Sequence, residues 1–509
     1  MQIYDTKPQT LAGWVDQHAE QMPDAVGLVS FGVELDWRAI RDRTRRLAAR
    51  MLALGVDYGD RVAVLSHNRP EVIEVQVACA RIGAVFVPLN TRYALEELRE
   101  TIASVDPALL FHDQEHAAHA GSARFSGPLL DFDGPEERLR PDHDALSALD
   151  RAADRVDGQT PAMILFTSGT TGASLGAVLT HAQVDANHRQ FLDTLPIDET
   201  TVNYAVAPLF HVAGLNTMTG PTVVAGGTNV FAPRFDAGRA LRDVEDYGVT
   251  ASFMVPTMWR DIAEHPLFER GAADGLECAL VGGARCAPSL RRAYANRDIP
   301  FYEGYGMTEA GPMVTVRPPD MEPASAYSVG RAGPQVELRI VDRDARVLPD
   351  GARGELEVRA PNVMDRYWQE PAATASTLND GWLSTGDVGY LRNQQFQLLD
   401  RLDDMINTGG EKVYPSQVEA VLGEHPELAE LAIVGTRHPR WGESVTAVVV
   451  ASGSTVPSLE ELRAFGAREL AGFKLPKRLE VVAELPRNSA GKLLRREILQ
   501  KLQRDQSAA

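Results

Sequence analysis

Cysteine is scarce. Only Cys79, Cys278 and Cys286 occur in 509 residues, with no Cys-x-x-Cys pair and no histidine cluster at metal-ligand spacing. A disulfide framework and a zinc-finger site are therefore excluded, and each thiol lies in an apolar or Gly/Ala-rich stretch that reads as packing in a reduced, cytoplasmic protein. Cys286 follows Gly282 by four residues, but a nucleophile needs a base, and the sequence places no histidine near it. Long apolar runs are also missing: no stretch of about 18 such residues exists, and residues 1–7 contain no basic segment leading into an apolar core. Neither membrane insertion nor export is expected. Positive charge is in deficit, 51 Lys and Arg against 70 Asp and Glu, a net charge of −19 that disfavours nucleic acid or an acidic membrane as partner. Any nucleotide must be held by local chemistry.

What is present is an ordinary globular composition, 44% hydrophobic and 24% charged, in a chain too long for one core. Short apolar runs alternate with helical periodicity: Arg61–Leu65 reads as a strand, 71–82 as a helix, 84–88 as a strand and 162–166 as a buried strand. The alternation predicts an α/β class, a large N-terminal domain (1–402) of layered α/β subdomains with mostly parallel sheets. Residues 127–157, rich in Pro, Asp and Arg, read as a surface connection. After 400–404 the pattern changes to a small α+β domain (403–509), with helices at 417–422 and 459–470, strands at 431–434 and 445–450, and a frayed tail from Gln503.

The chemistry begins where the 162–166 strand ends. Thr167, Ser168, Gly169, Thr170, Thr171 and Gly172 form a run of hydroxyls and glycines whose N–H and O–H groups can converge on phosphate oxygens. It is no Walker A loop, because no Gly-Lys-Ser/Thr follows. Thr180-His181-Ala182-Gln183 has capping-box spacing and opens a helix. Further on stand Pro208-Leu209-Phe210-His211-Val212-Ala213-Gly214, Gly282-Gly283-Ala284 and Tyr305-Gly306-Met307-Thr308-Glu309. Then come Ser384-Thr385-Gly386-Asp387, Asp400-Arg401, Gly409-Gly410-Glu411-Lys412-Val413-Tyr414-Pro415 and Asn488-Ser489-Ala490-Gly491-Lys492.

This ordered series, spread from Trp37 to Arg496, resembles the adenylate-forming superfamily of acyl-CoA synthetases, nonribosomal-peptide adenylation domains and beetle luciferases. The Gly-Gly-Glu-Lys-Val-Tyr-Pro segment in a lone chain is most similar to the acyl-CoA synthetases. The resemblance implies that ATP and a carboxylic acid give acyl-AMP, and that coenzyme A then takes the acyl group. It implies that Glu309 binds Mg²⁺, that Thr308 meets the α-phosphate, and that Asp387 accepts the ribose hydroxyls with Arg401 beside them. Tyr305, Gly306 and the backbone of Gly282, Gly283 and Ala284 match the adenine shelf. His211 matches the gate between the acyl and pantetheine sites, and Lys492 the mobile-domain lysine of the adenylation step. Asp403 matches the hinge about which the small domain turns, bringing Gly409 and Gly410 to the pantetheine arm. For the acyl pocket the candidates are His211, Met218, Met254, Trp259, Gly283 and Met307, an apolar set that favours an aromatic, alicyclic or medium-chain acid.

One position departs from the pattern. Where the family has Pro-Lys-Gly closing the phosphate loop, this chain has Ser174-Leu175-Gly176. Leucine cannot supply the charge-assisted hydrogen bond to the outer phosphates, worth about 1.5–3 kcal/mol. The sequence therefore predicts weakened adenylation and a spared thioester step, with preformed acyl-AMP from a partner adenylating enzyme as one source of substrate. Two alternatives stand beside an acyl-CoA ligase: loading of a carrier protein, and a degenerate acyl-adenylate binder.

Overall fold

A computed structural model describes residues 9–30, 32–134, 149–167, 174–325, 327–401, 404–408, 411–453, 455–487 and 493–508. The chain forms two compact units. The first comprises residues 1–321, 330–337 and 358–383, the second 322–329, 338–357 and 384–509.

The first unit holds two layered sheets. One runs Arg366–Tyr367, Gly176–Thr180, Pro161–Phe166, Val85–Pro88, Arg61–Leu65, Leu109–His112, Leu129–Asp131. Its interior pairs are parallel, and the Pro161–Phe166 and Gly176–Thr180 strands form an antiparallel hairpin. The other runs Val33–Asp36, Val26–Ser30, Thr228–Phe231, Val202–Ala205, Ala251–Met254, Cys278–Val281, Phe301–Gly306, Met313–Arg317, parallel except at its first and last pairs. These strands are short continuous apolar runs because helices cover them: Val62, Ala63, Val64 and Leu65 are all buried, as is every residue of Cys278–Val281. The predicted strand at 61–65 and helix at 71–82 stand as Arg61–Leu65 and Pro70–Ile82, the helix closed by Gly83 at φ +71°. The Thr180 hydroxyl and the Gln183 side chain cap His181–Thr194 reciprocally, as the spacing predicts. Leu129–Asp131 is a strand inside what reads as a surface connection; its side chains are only partly covered, so apolar patterning could not reveal it.

In the second unit, Glu411–Val413, Ile406–Thr408, Gly442–Ala451 and Leu428–His438 form a sheet, with Arg478–Val481 added parallel to Gly442–Ala451. Its core includes Val418, Leu422, Ile433, Val445, Ala447 and Leu462. The last helix runs Arg495–Ala508, and Ile498 and Leu502 are buried against Ala432, Val434 and Val448. All three cysteines are buried and free, and burial raises each thiol well above its ordinary range, which suits packing and not nucleophilic attack. Among the described residues no helix is long and apolar enough to cross a membrane.

The His181–Thr194 helix also turns polar groups inward. His188 fits only because Gly220 faces it; a Cβ there would stand 2.3 Å from its Nε2. Nε2 of His181 and of His188 is buried without a hydrogen-bond partner among the described residues. Burial therefore pushes both imidazoles from 6.5 down to about 4, so the native state holds them neutral. The unfolded chain protonates first. Stability should be complete above pH 6.5 and fall as the pH drops toward 4, with a slope approaching about 1.4 kcal/mol per pH unit for each histidine. Urea midpoints of the protein at pH 7.5 and pH 5 check this: the midpoint should fall at pH 5, and the fall should shrink in His188→Gln.

Candidate adenylate and acyl site

In the first unit, a hairpin, a strap and a tight turn assemble around Glu309. Phe166 stands opposite Gly176 in the hairpin, and the Thr167 N–H donates to the Leu175 carbonyl at 2.8 Å. Thr167 and Leu175 thus close the neck of the hairpin, with the Ser174 hydroxyl donating to the Thr167 carbonyl. Gly176 is small by necessity, since a Cβ would meet the Ile164 side chain at 2.7 Å. Against the outgoing strand lies the strap: Tyr367 stands opposite Ala177, Arg366 opposite Val178, and the Trp368 N–H donates to the Gly176 carbonyl at 2.7 Å. The same strap reaches the Glu309 turn. The Met364 N–H donates to the Glu309 carbonyl at 2.8 Å, the Asn362 amide donates to the carbonyls of Ala310 and Met313, and the Tyr367 hydroxyl donates to Glu309 Oε1 at 2.7 Å.

Thr308 and Glu309 occupy a single 3₁₀ turn, Thr308–Ala310, that ends the Phe301–Gly306 strand. The strand can turn there only because position 306 is glycine: a Cβ would lie 1.9 Å from the Pro312 carbonyl oxygen. Glu309 is buried at 9% exposure, yet among the described residues its Oε2 makes no hydrogen bond. A carboxylate oxygen so placed suits Mg²⁺, a hard ion held by one or two carboxylates plus phosphate oxygens. Thr308 stands beside it, half-buried, on the same turn. The residues fit the metal role.

A second wall comes from the C-terminal ends of the parallel strands, where ligands bind in open α/β sheets. Gly283 and Ala284 are exposed just beyond Cys278–Val281, Gly283 at φ +80°, while Gly282 is closely packed, a Cβ there being 3.0 Å from the Gly304 carbonyl. Tyr305, on the neighbouring Phe301–Gly306 strand, is half-buried. His211 ends a loop pinned from below: the Asn68 amide donates to the carbonyls of Ala205 and Ala207 and its Oδ1 accepts from the Leu209 N–H at 3.0 Å. Gly214 lets the next turn lie on that loop, since a Cβ would be 2.2 Å from the Pro208 carbonyl. Burial, helped by the Arg92 charge, pushes His211 from 6.5 to about 4, so the ring is neutral; it lies 4.6 Å from Phe210 between centroids. A π-helical stretch, Leu215–Thr219, follows it, a feature frequent at functional sites.

The second unit carries the other constellation. Asp387 and Arg401 are direct cross-strand partners, with Arg401 Nε 3.3 Å from Asp387 Oδ1. Asp387 is buried, and its N–H donates to the Thr385 hydroxyl oxygen, which itself donates to the Leu356 carbonyl. Gly386 supplies the φ of +70° between them. The adjacent Asp400 carboxyl, raised by burial to about 6, accepts from the Ser416 N–H at 2.8 Å.

Each unit thus carries residues that the resemblance assigns to an adenylate site, and similarity to known proteins decides the family. Residues 15–368 match the model of the AMP-binding enzymes, and 417–492 that of the AMP-binding enzyme C-terminal domain. The chain belongs to the AMP-binding enzyme family. It is similar to a feruloyl-CoA synthase of Amycolatopsis sp., 38% identical over 96% of this chain and 98% of that one. It is similar too to an indoleacetate–CoA ligase of Aromatoleum aromaticum, 36% identical over 96% and 98%. Among solved structures, ATP-bound MatB from Rhodopseudomonas palustris superimposes with a TM-score of 0.86 at 28% identity, covering 98% of this chain and 99% of that chain. This AMP-binding enzyme lies in the acyl-CoA ligase branch of the adenylate-forming superfamily and is an acid–thiol ligase.

Several candidate residues of this AMP-binding enzyme lie outside the described residues: Ser168, Gly169, Thr170, Thr171, Gly172, Asp403, Gly409, Gly410 and Lys492. Flanking backbone is defined. Thr408 pairs with Glu411 around positions 409–410, and Arg487 bridges to Leu493 around 488–492. Of the acyl-pocket candidates, Met307 is half-buried on the strand-end turn beside Thr308, whereas Met218, in the π-helical stretch that follows His211, is buried in a core with Phe191, Leu195 and Phe253. Met254 and Trp259 are packed in another core. Trp259 is 0% exposed, its indole N–H on the Leu280 carbonyl and its ring edge-on to Tyr294 and Phe301, and Met254 shares that core. Both side chains are used in packing.

Sequence reading missed Tyr367, Asn362 and Asn68. Each acts on elements distant in the chain, and no local spacing announces that. It also missed a cluster of His67, Asp113 and His116, whose ligand atoms lie within 4.8 Å. Hydrogen bonding accounts for the cluster: Asp113 accepts from the Ser66 hydroxyl, the His67 N–H, the His116 N–H and His116 Nδ1 at 2.6–3.1 Å. Arg234, 3.4 Å from His67 Nε2, adds a positive charge. It is a capped turn.

Proposed function

We propose that this AMP-binding enzyme joins a ring-bearing carboxylic acid to coenzyme A through an acyl-AMP intermediate. The observation that carries the reading is the Glu309 turn, a buried acid tied by the 362–368 strap to the hairpin of the phosphate loop. ATP and the acid react at the α-phosphate, releasing pyrophosphate; the thiol of coenzyme A then displaces AMP. Glu309 would hold Mg²⁺, which would supply charge neutralisation for the phosphates of ATP in the first step. Thr308 orients the α-phosphate, Asp387 accepts from the ribose hydroxyls, Arg401 flanks them, and Tyr305 with Gly282, Gly283, Ala284 and Gly306 provides the flat surface for adenine. Lys492 serves adenylation, and Asp403 is the pivot that exchanges it for Gly409 and Gly410 when coenzyme A enters.

Neutral His211 supports an uncharged acyl group, and the relatives named for feruloyl and indoleacetate substrates support a ring. Leu175 supports slow adenylation, and hence use of acyl-AMP made by a partner enzyme. A panel of acids with ATP, Mg²⁺ and either coenzyme A or a holo-carrier protein tests the reading. Acyl-CoA should form fastest from arylalkanoic or cinnamic-type acids, as read by mass. Product on the carrier protein alone would overturn it.

A further inference from the structure

Glu309 is a buried carboxylate with one oxygen engaged and one free of hydrogen bonds among the described residues. The engaging group is the Tyr367 hydroxyl at 2.7 Å, the usual length of a well-made O–H···O hydrogen bond. Tyr367 is itself buried and tied down through its backbone. Its exposure is 5%, its N–H donates to the Thr374 hydroxyl oxygen at 3.0 Å, and its backbone is laddered to Ala177 on the strand leaving the phosphate loop. The Glu309 main chain is gripped by the same strap through Met364, and the turn around it through Asn362.

A carboxylate on a two-carbon stem has several rotamers, and a metal ligand must keep one. We propose that Tyr367 is a positioning residue for the divalent cation: its hydroxyl fixes Oε1 of Glu309, so that Oε2 is presented to the Mg²⁺ of the bound nucleotide. The proposal rests on the reading of Glu309 as the metal ligand. Because the strap also pairs with the hairpin, the carboxylate is set in register with the Gly176–Thr180 strand. Outer-shell partners of this kind are worth about 10–100-fold in metal affinity.

The test uses Tyr367→Phe, which removes one oxygen and keeps the ring, beside Glu309→Gln. Mn²⁺ binding to the full-length protein saturated with a nonhydrolysable ATP analogue is followed by electron paramagnetic resonance. Metal-free AMP binding and the melting temperature report on folding. Tyr367→Phe should weaken Mn²⁺ by about tenfold or more, with AMP affinity within twofold, and the half-saturating Mg²⁺ for ATP–pyrophosphate exchange should rise in parallel. If Mn²⁺ binds Tyr367→Phe as it binds the parent while Glu309→Gln loses it, the positioning role is wrong and the metal reading stands. Should Glu309→Gln also bind Mn²⁺ normally, the metal reading fails and takes the proposal with it. Equal losses of Mn²⁺ and of AMP would reduce Tyr367 to a structural residue and overturn the proposal as well.

Discussion

Replacing Ser174 by Pro and Leu175 by Lys should raise ATP–pyrophosphate exchange by roughly ten- to a hundredfold and leave the rate from synthetic acyl-AMP and coenzyme A unchanged. A lysine ammonium on the β- and γ-phosphates adds a charge-assisted hydrogen bond of about 1.5–3 kcal/mol, and about 1.4 kcal/mol is a factor of ten. Those phosphates exist only in the first half-reaction, so the second should not respond. Leu175 contributes its carbonyl to the neck of the hairpin, which any residue can do, and its side chain is only half-buried. Ser174 is exposed, and proline there gives up the hydroxyl bond to the Thr167 carbonyl while restricting the unfolded loop, opposing effects of similar size. Leu175→Lys alone should give most of the gain. Vigorous exchange by the parent, unmoved by either variant, would show a loop that tolerates leucine and an ordinary acyl-CoA synthetase.

Asp387→Ala should lower affinity for a nonhydrolysable acyl-AMP analogue by about a hundredfold or more. Two ribose hydroxyls on one carboxylate each contribute about 1.5–3 kcal/mol, and the change also strips Arg401 of a partner 3.3 Å away. The parent should show a melting temperature that rises with analogue concentration, by mass action, and the variant should show almost none of that rise. Asp387→Asn separates chemistry from packing, because it keeps the side-chain volume in a buried position and removes the charge. Analogue binding by Asp387→Ala at the parent's affinity would remove this residue from the nucleotide site.

Much of the fold is legible in the order of residues alone. Strands at Arg61–Leu65 and Pro161–Phe166 announce themselves because, covered on both faces, they must be apolar almost without interruption. The capping box at Thr180 and the glycines at 306 and 214 are equally local, answering to backbone geometry within a few residues. Leu129–Asp131 is not legible in this way, because a partly covered edge strand has little apolar pattern to show.

The sequence by itself determined the family and the order of its motifs, and it named Glu309, Asp387 and Arg401 as candidates, since each is written as residue type at short spacing. It also marked Leu175 as the position that departs from the family's pattern. Only the tertiary structure decided which apolar candidates are sealed in a core. Trp259 and Met307 look alike as apolar residues near a motif, yet one is sealed by Tyr294 and Phe301 and the other is half-buried on a strand-end turn. It alone placed the Tyr367 hydroxyl on Glu309 and Asn68 under the His211 loop. Such contacts join segments far apart in the chain. Nothing at either end prescribes the other until sheet register and helix packing bring them within hydrogen-bonding distance.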